Sequence, residues 1–157
     1  MLWKRDFSVN DFSRRFNMAI KMRVLYASSQ KKVAEMANMI KAEYELAINA
    51  VDKIPPAYSC DKERLVILML SLKNDPDDQL RLFCQELTPA RAANVALVIE
   101  GKEAAANKMK EILAKAGTKV ADEVFYVKGS FLPFLGSVTP EEKDALIAWT
   151  HRIVDAL

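Results

Sequence analysis

The chain has 157 residues, of which 51% are hydrophobic and 28% charged, with a formal net charge of +2 at pH 7. This composition suits one globular domain and excludes a disordered chain, and no apolar run approaches the ~20 residues of a membrane span. Two cysteines, Cys60 and Cys84, are too few for a disulfide framework and lack metal-ligand spacing, so we expect a cytoplasmic protein with reduced thiols.

Residues 1–21 form a basic arm that is rich in aromatic side chains. Residues 1–23 hold six basic and two acidic side chains, which leaves the rest of the chain mildly acidic. This charge distribution does not indicate a nucleic-acid-binding protein. Three interpretations stay open: a basic amphipathic helix that meets a membrane or a partner, a segment that folds back onto the domain, or sequence upstream of a natural start at Met22. We expect the rings to pack onto the domain, and they belong to Trp3, Phe7, Phe12 and Phe16.

From residue 22 onward, apolar strand-like runs alternate with segments of helical periodicity. The pattern predicts strands over residues 23–27, 45–51, 64–70, 94–99 and 119–127. It predicts helices over residues 31–44, from 77 to about 87, over 104–116, and from 140 to the end of the chain. The run 64–70 is almost continuously apolar, as a strand covered on both faces requires.

Several helix boundaries carry their own signals. Asp77 and Asp78 open a helix where acidic residues complement the helix dipole, and Gly117 is typical of a C-cap. Thr139 and Glu142 form a capping box at the start of the last helix. Five strands that alternate with helices predict a parallel sheet with helices on both faces. In such sheets ligands bind outside the carboxyl ends of the strands.

Glycine is scarce, and the first 100 residues contain none. Glycine lets a backbone approach a phosphate closely and adopt positive φ. The sequence therefore excludes a P-loop and a dinucleotide-binding fingerprint in its first half.

Three parts of the sequence resemble the flavodoxin family. Residues 24–29 (VLYASS) with 32–35 (KVAE) resemble its first strand and helix, residues 64–71 its third strand, and residues 94–97 with 109–117 its fourth strand and helix. The resemblance covers residues 22–157 and implies one domain, a three-layer α/β sandwich whose five-stranded parallel sheet has the order 2-1-3-4-5. It also implies non-covalently bound FMN, which carries electrons to a partner or reduces acceptors such as quinones.

The resemblance also implies which residues would bind FMN. Two loops would flank the flavin ring and one would hold its phosphate: the ring loops are Leu72, Lys73 and Asn74 and then Glu100, Gly101 and Lys102, and the phosphate loop is Ser28, Ser29, Gln30, Lys31 and Lys32.

The sequence departs from the family pattern in each of these loops. The Thr-Gly-Asn portion of the phosphate loop is missing, so Ser28 or Ser29 is alternatively a helix cap. Neither ring loop has an aromatic residue, although stacking contributes much to the binding of a flat ring. Phe131 and Phe134 follow the fifth strand, and we expect their loop to pack on the top of the sheet.

Two functions are compatible with these features. One is an FMN-dependent electron carrier or reductase with a redox partner. The other, which the missing elements favour, is a flavodoxin-like binding or regulatory module with weak or lost FMN binding. We predict no catalytic constellation, because the only histidine, His151, lies near the end of the last helix, away from the strand ends. We predict no metal site, because helix-start chemistry accounts for Asp75, Asp77 and Asp78.

Overall fold

A computed structural model describes residues 20–45, 47–48 and 51–157. The interpretations of the basic arm, including Trp3, Phe7, Phe12 and Phe16, concern residues outside this range. Within it, the strands are β1 (Met22–Ala27), β2 (Val51–Lys53), β3 (Leu65–Leu72), β4 (Asn94–Gly101), β5 (Lys119–Val120) and β6 (Phe125–Val127). The helices are α1 (Lys31–Glu43), α2 (Asp78–Gln85), α3 (Glu103–Ala116) and α4 (Pro140–Asp155).

All strand pairs in the sheet are parallel. The order is β2-β1-β3-β4, and both β5 and β6 pair with β4. β1 pairs with β3 from Met22–Leu65 to Ala27–Leu70, so the carboxyl ends of neighbouring strands meet at one edge of the sheet. The predicted order 2-1-3-4-5 is confirmed, with the fifth position shared by two short strands.

Helices cover both faces of the sheet, which makes three layers. One core holds the buried faces of α1 and α4, and the other holds those of α2 and α3. Between them, residues 65–70 of β3 have no exposed surface, which confirms the prediction of a central strand covered on both faces. In the described part of the chain, no helix has the length and apolar character needed to cross a membrane.

The predicted fifth strand over residues 119–127 is wrong as a single element. Asn94 faces Lys119, but four positions along β4 Val98 faces Phe125. The Ala121 amide still donates to the Val95 oxygen at 2.8 Å, and residues 122–124 bulge out of the ladder. The indole Nε1 of Trp149 in α4 donates to the backbone oxygen of Glu123 at 3.1 Å. This tertiary hydrogen bond satisfies a bulged carbonyl that a regular strand would have paired.

The predicted second strand is misplaced. β2 spans Val51–Lys53 instead of residues 45–51, because the chain after α1 first makes a turn in which the Ile48 amide donates to the Tyr44 oxygen at 2.9 Å. Tyr44 and Ile48 are both buried in this turn, so their apolar character reflects turn packing. Residues 46, 49 and 50 lie outside the described range.

The predicted helix boundaries are confirmed where a cap was identified. Asp77 accepts a hydrogen bond from the Leu80 amide at 2.8 Å, and Gly117 caps α3 with a left-handed φ of 100°. Thr139 and Glu142 make both hydrogen bonds of the capping box at the start of α4.

Candidate functional site

A cleft of about 740 Å³ opens at the carboxyl edge of the sheet. The loops after β1, β3 and β6 and the end of β4 surround it, as expected for a doubly wound sheet. Seven of the residues predicted for the site line it: Ser28, Ser29, Gln30, Leu72, Lys73, Asn74 and Glu100. Four predicted residues are not in the lining: Lys31, Lys32, Gly101 and Lys102.

The loop after β1 is held by its own serine. Ser28 Oγ accepts a hydrogen bond from the Gln30 amide at 3.0 Å and shares another with Ser71 Oγ, which joins the loops after β1 and β3. The N-cap residue of α1 is Gln30, and its side chain makes no capping hydrogen bond. The alternative in which Ser28 or Ser29 is the helix cap is therefore wrong, although Ser28 binds the amide of the cap residue.

The start of α1 is closed by the loop after β6. The Lys31 amide donates to the Pro133 oxygen at 3.0 Å. The Gln30 side chain binds Ser130 twice, because its Nε2 donates to the Ser130 oxygen at 3.1 Å and its Oε1 accepts from the Ser130 amide at 3.2 Å. The Val33 amide is also engaged, with the Gln30 oxygen at 3.1 Å. Protein atoms thus occupy donors that would otherwise face an anion at a helix N-terminus.

The lysine predicted to face a phosphate has a different role. The Lys32 side chain is 9% exposed, its Nζ donates to the Lys128 oxygen at 3.0 Å, and it forms an ion pair with the Glu142 carboxylate. Burial alone would raise the pKa of Glu142, but hydrogen bonds from Lys32 and from the Thr139 amide outweigh it and lower that pKa. Lys31 is exposed, and its Nζ lies 3.5 Å from a carboxylate oxygen of Glu35.

The two residues after Glu100 are exposed and lie outside the cleft lining. A Cβ on Gly101 would lie 2.4 Å from the Leu72 backbone oxygen, so the close approach of β3 and β4 requires glycine here. Lys102 is the N-cap residue of α3.

Glu100 itself lies against Gly129. A Cβ added at Gly129 would come within 1.9 Å of Glu100 Oε1. The missing side chain of this glycine therefore makes room for a carboxylate in the wall of the cleft.

The aromatic side chains after β6 do not pack on the sheet. Phe131 lines the cleft and is 98% exposed, and Phe134 is 66% exposed. The loop itself contacts the start of α1 at the carboxyl edge through Ser130 and Pro133, so the predicted packing of the loop is made by its backbone, while these two rings stay exposed. The cleft lining also has eight residues that were not among the predicted site residues: Ala27, Ser71, Asp75, Asp77, Leu80, Ser130, Phe131 and Pro133.

The polar residues considered for other chemistry have structural partners. His151 Nε2 lies 2.7 Å from Glu43 Oε1, which links α4 to α1. Asp75 pairs with Lys108, and Asp77 caps α2. Among the residues that the structure describes, no group of three or more His, Cys, Asp or Glu side chains could hold a metal ion.

Solved structures of flavodoxins share this fold. A short-chain flavodoxin associated with a PDU bacterial microcompartment superposes with a TM-score of 0.65 at 14% identity, over 87% of this chain and 98% of its own. A flavodoxin of Streptococcus pneumonia TIGR4 gives 0.65 at 13% identity, over 87% and 99% of the two chains. A flavodoxin from the domain Archaea gives 0.56 at 14% identity, over 87% and 98%. No protein-family model and no curated protein matches the sequence. The fold is flavodoxin-like.

Proposed function

We propose that this protein is a flavodoxin-like binding or regulatory module that binds FMN weakly or not at all. The observation that carries the proposal is the hydrogen bond from the Lys31 amide to the Pro133 oxygen at the start of α1. Phosphate binding at a helix N-terminus depends on backbone N–H groups that point at the anion. A carbonyl oxygen at this place uses a donor and also turns a partial negative charge toward any phosphate.

The nearby cations support the same proposal. Lys32 is already neutralised by Glu142, and its remaining hydrogen bond is to the Lys128 oxygen. To bind a phosphate, Lys32 would have to leave a carboxylate in a half-buried position, which is unfavourable. Lys31 is exposed and lies 3.5 Å from a Glu35 carboxylate oxygen, and an exposed cation adds little binding energy.

The cleft that stays open supports a binding role. It lies where α/β sheets bind ligands, and its volume is that of a small-molecule site. Both cysteines are buried free thiols, which supports our proposal of a cytoplasmic location.

The test is a paired titration of the ligand-free protein with FMN and with riboflavin, followed by flavin fluorescence. The two ligands share the ring and differ in the phosphate. We expect no saturable quenching at sub-micromolar FMN and no preference for FMN over riboflavin. Sub-micromolar binding of FMN with much weaker binding of riboflavin would refute the proposal.

The second candidate is an FMN-dependent electron carrier or reductase with a redox partner. The position of the cleft at the switch point of the sheet favours it. In that case Lys31→Ala should weaken binding of FMN more than binding of riboflavin, because the lysine would act on the phosphate alone. Equal effects on the two ligands, or none, would count against this candidate.

A further inference from the structure

We infer that the cleft binds a planar ring compound that carries N–H donors and no phosphate, with the ring on Phe131 and the donors toward Glu100. The inference rests on the proposed function, because it names the class of ligand for the same cleft. Its two anchors come from different segments, Glu100 from the end of β4 and Phe131 from the loop after β6, and both line the cleft.

Phe131 presents an open aromatic ring at the cleft. Its ring is 98% exposed, yet the backbone on both sides of it is anchored: Ser130 makes two hydrogen bonds with the Gln30 side chain, and Pro133 accepts from the Lys31 amide. The anchored backbone keeps the ring at the cleft, so stacking on a flat ligand costs only the freedom of the two side-chain torsions of Phe131.

The Glu100 carboxylate is a hydrogen-bond acceptor at the cleft. Its carboxylate packs over Gly129, and among the described residues it has no hydrogen bond or ion pair. An ionised carboxylate only accepts hydrogen bonds, so it favours amino or ring N–H groups and repels anions. Lys73 also lines the cleft, but it is exposed, whereas Glu100 is half-buried and less hydrated. Glu100 therefore has more influence than Lys73 on the charge of the ligand that the cleft prefers.

Two features favour a small ring compound over a protein segment. The cleft is a concave space of about 740 Å³, within the range of small-molecule sites. Its wall is closed between the loops after β1 and β3, because Ser28 and Ser71 are hydrogen-bonded to each other across them.

The probe for the test is 9-aminoacridine, a planar fluorescent cation with amino donors. Its anionic counterpart is 1-pyrenesulfonate. We expect saturable quenching of 9-aminoacridine by the wild-type protein and much weaker binding of the sulfonate.

Phe131→Ala should weaken binding of 9-aminoacridine about tenfold, the size of a lost stacking contact. Phe134→Ala is the matched control, because this ring is exposed on the same loop and is not in the cleft lining, and it should bind as wild type. Glu100→Gln should weaken binding severalfold and reduce the preference over the sulfonate.

Each variant has an outcome that would overturn the inference. Absence of saturable binding, equal losses in Phe131→Ala and Phe134→Ala, or an unchanged preference in Glu100→Gln would each do so. The paired FMN and riboflavin titration is judged separately. If FMN binds tightly through its phosphate, the proposed function fails; if neither FMN nor 9-aminoacridine binds, only the present inference fails.

Discussion

Substitution of Lys32 by methionine distinguishes a lysine that anchors the fold from one that binds a phosphate. Methionine keeps the length of the apolar stem and removes the amine. The Lys32 side chain is 9% exposed, and its amine has two partners, the Lys128 oxygen and the Glu142 carboxylate. We therefore expect Lys32→Met to lower the free energy of unfolding whether or not any ligand is present.

The magnitude follows from these contacts. A hydrogen bond to a charged group contributes roughly 1.5–3 kcal/mol net. The Glu142 side chain is 30% exposed, so water solvates part of the carboxylate when Lys32 is gone, and the loss falls toward the low end of that range. We expect a loss of about 2 kcal/mol, which for a domain of this size lowers Tm by about 4–8 °C.

The assay is urea denaturation at neutral pH together with thermal melting. Lys31→Met is the matched control, because the neighbouring side chain is 61% exposed and its only described ion pair, with Glu35, joins positions four apart on a helix. Such pairs contribute about 0.3–0.5 kcal/mol. If Lys32→Met and Lys31→Met differ by less than about 0.5 kcal/mol, the assignment of Lys32 as an anchor is wrong.

Three further predictions address other parts of the structure. Gly101→Ala should destabilise the protein by about 1–3 kcal/mol in urea denaturation, because its Cβ would meet backbone at 2.4 Å, whereas Gly136→Ala, with ordinary contacts at 3.4 Å or more, should change little. Because the pKa of Glu142 is lowered on folding, its contribution to stability should be present above the ordinary value of 4.5 and disappear as the pH falls through the lowered pKa; the gap between wild type and Glu142→Gln across a pH series checks this. Trp149→Phe removes the donor to the Glu123 oxygen and should lower the unfolding free energy by about 1 kcal/mol, and a wild-type urea midpoint would argue against the bulge contact.

The fold was predictable where a local pattern decides the structure. The short, unbroken apolar run that became β3 needs no tertiary information, because such a run is typical of a strand covered on both faces. The bulge between β5 and β6 has no such pattern. Its anchor is Trp149, 26 positions from Glu123, so the sequence alone does not distinguish residues 119–127 from one regular strand.

The candidate site was predictable in its position and less so in its contacts. A parallel sheet places ligands at the carboxyl edge, and seven of the predicted residues line the cleft there. The partners of Gln30 are a hundred positions away in the sequence, at Ser130, and the partner of the Lys31 amide is a backbone oxygen with no sequence signature. Lys32 resembled a phosphate ligand because its charge is visible in the sequence, while its pairing with Glu142 is not.

Two features therefore distinguish this loop from a phosphate-binding loop: the missing Thr-Gly-Asn portion and the contact of the Lys31 amide with the Pro133 oxygen. Inserting these three residues after Ser29 would supply amides and hydroxyls, but the Pro133 oxygen would still occupy the Lys31 amide. Replacing residues 131–135 by a glycine–serine linker would remove that oxygen without supplying a loop that wraps the anion. We expect neither change alone to produce a preference for FMN over riboflavin in fluorescence titration, and the two together to produce one. If the insertion alone produced that preference, the contact between Lys31 and Pro133 would not be what keeps a phosphate away, and the proposed function would lose its main support.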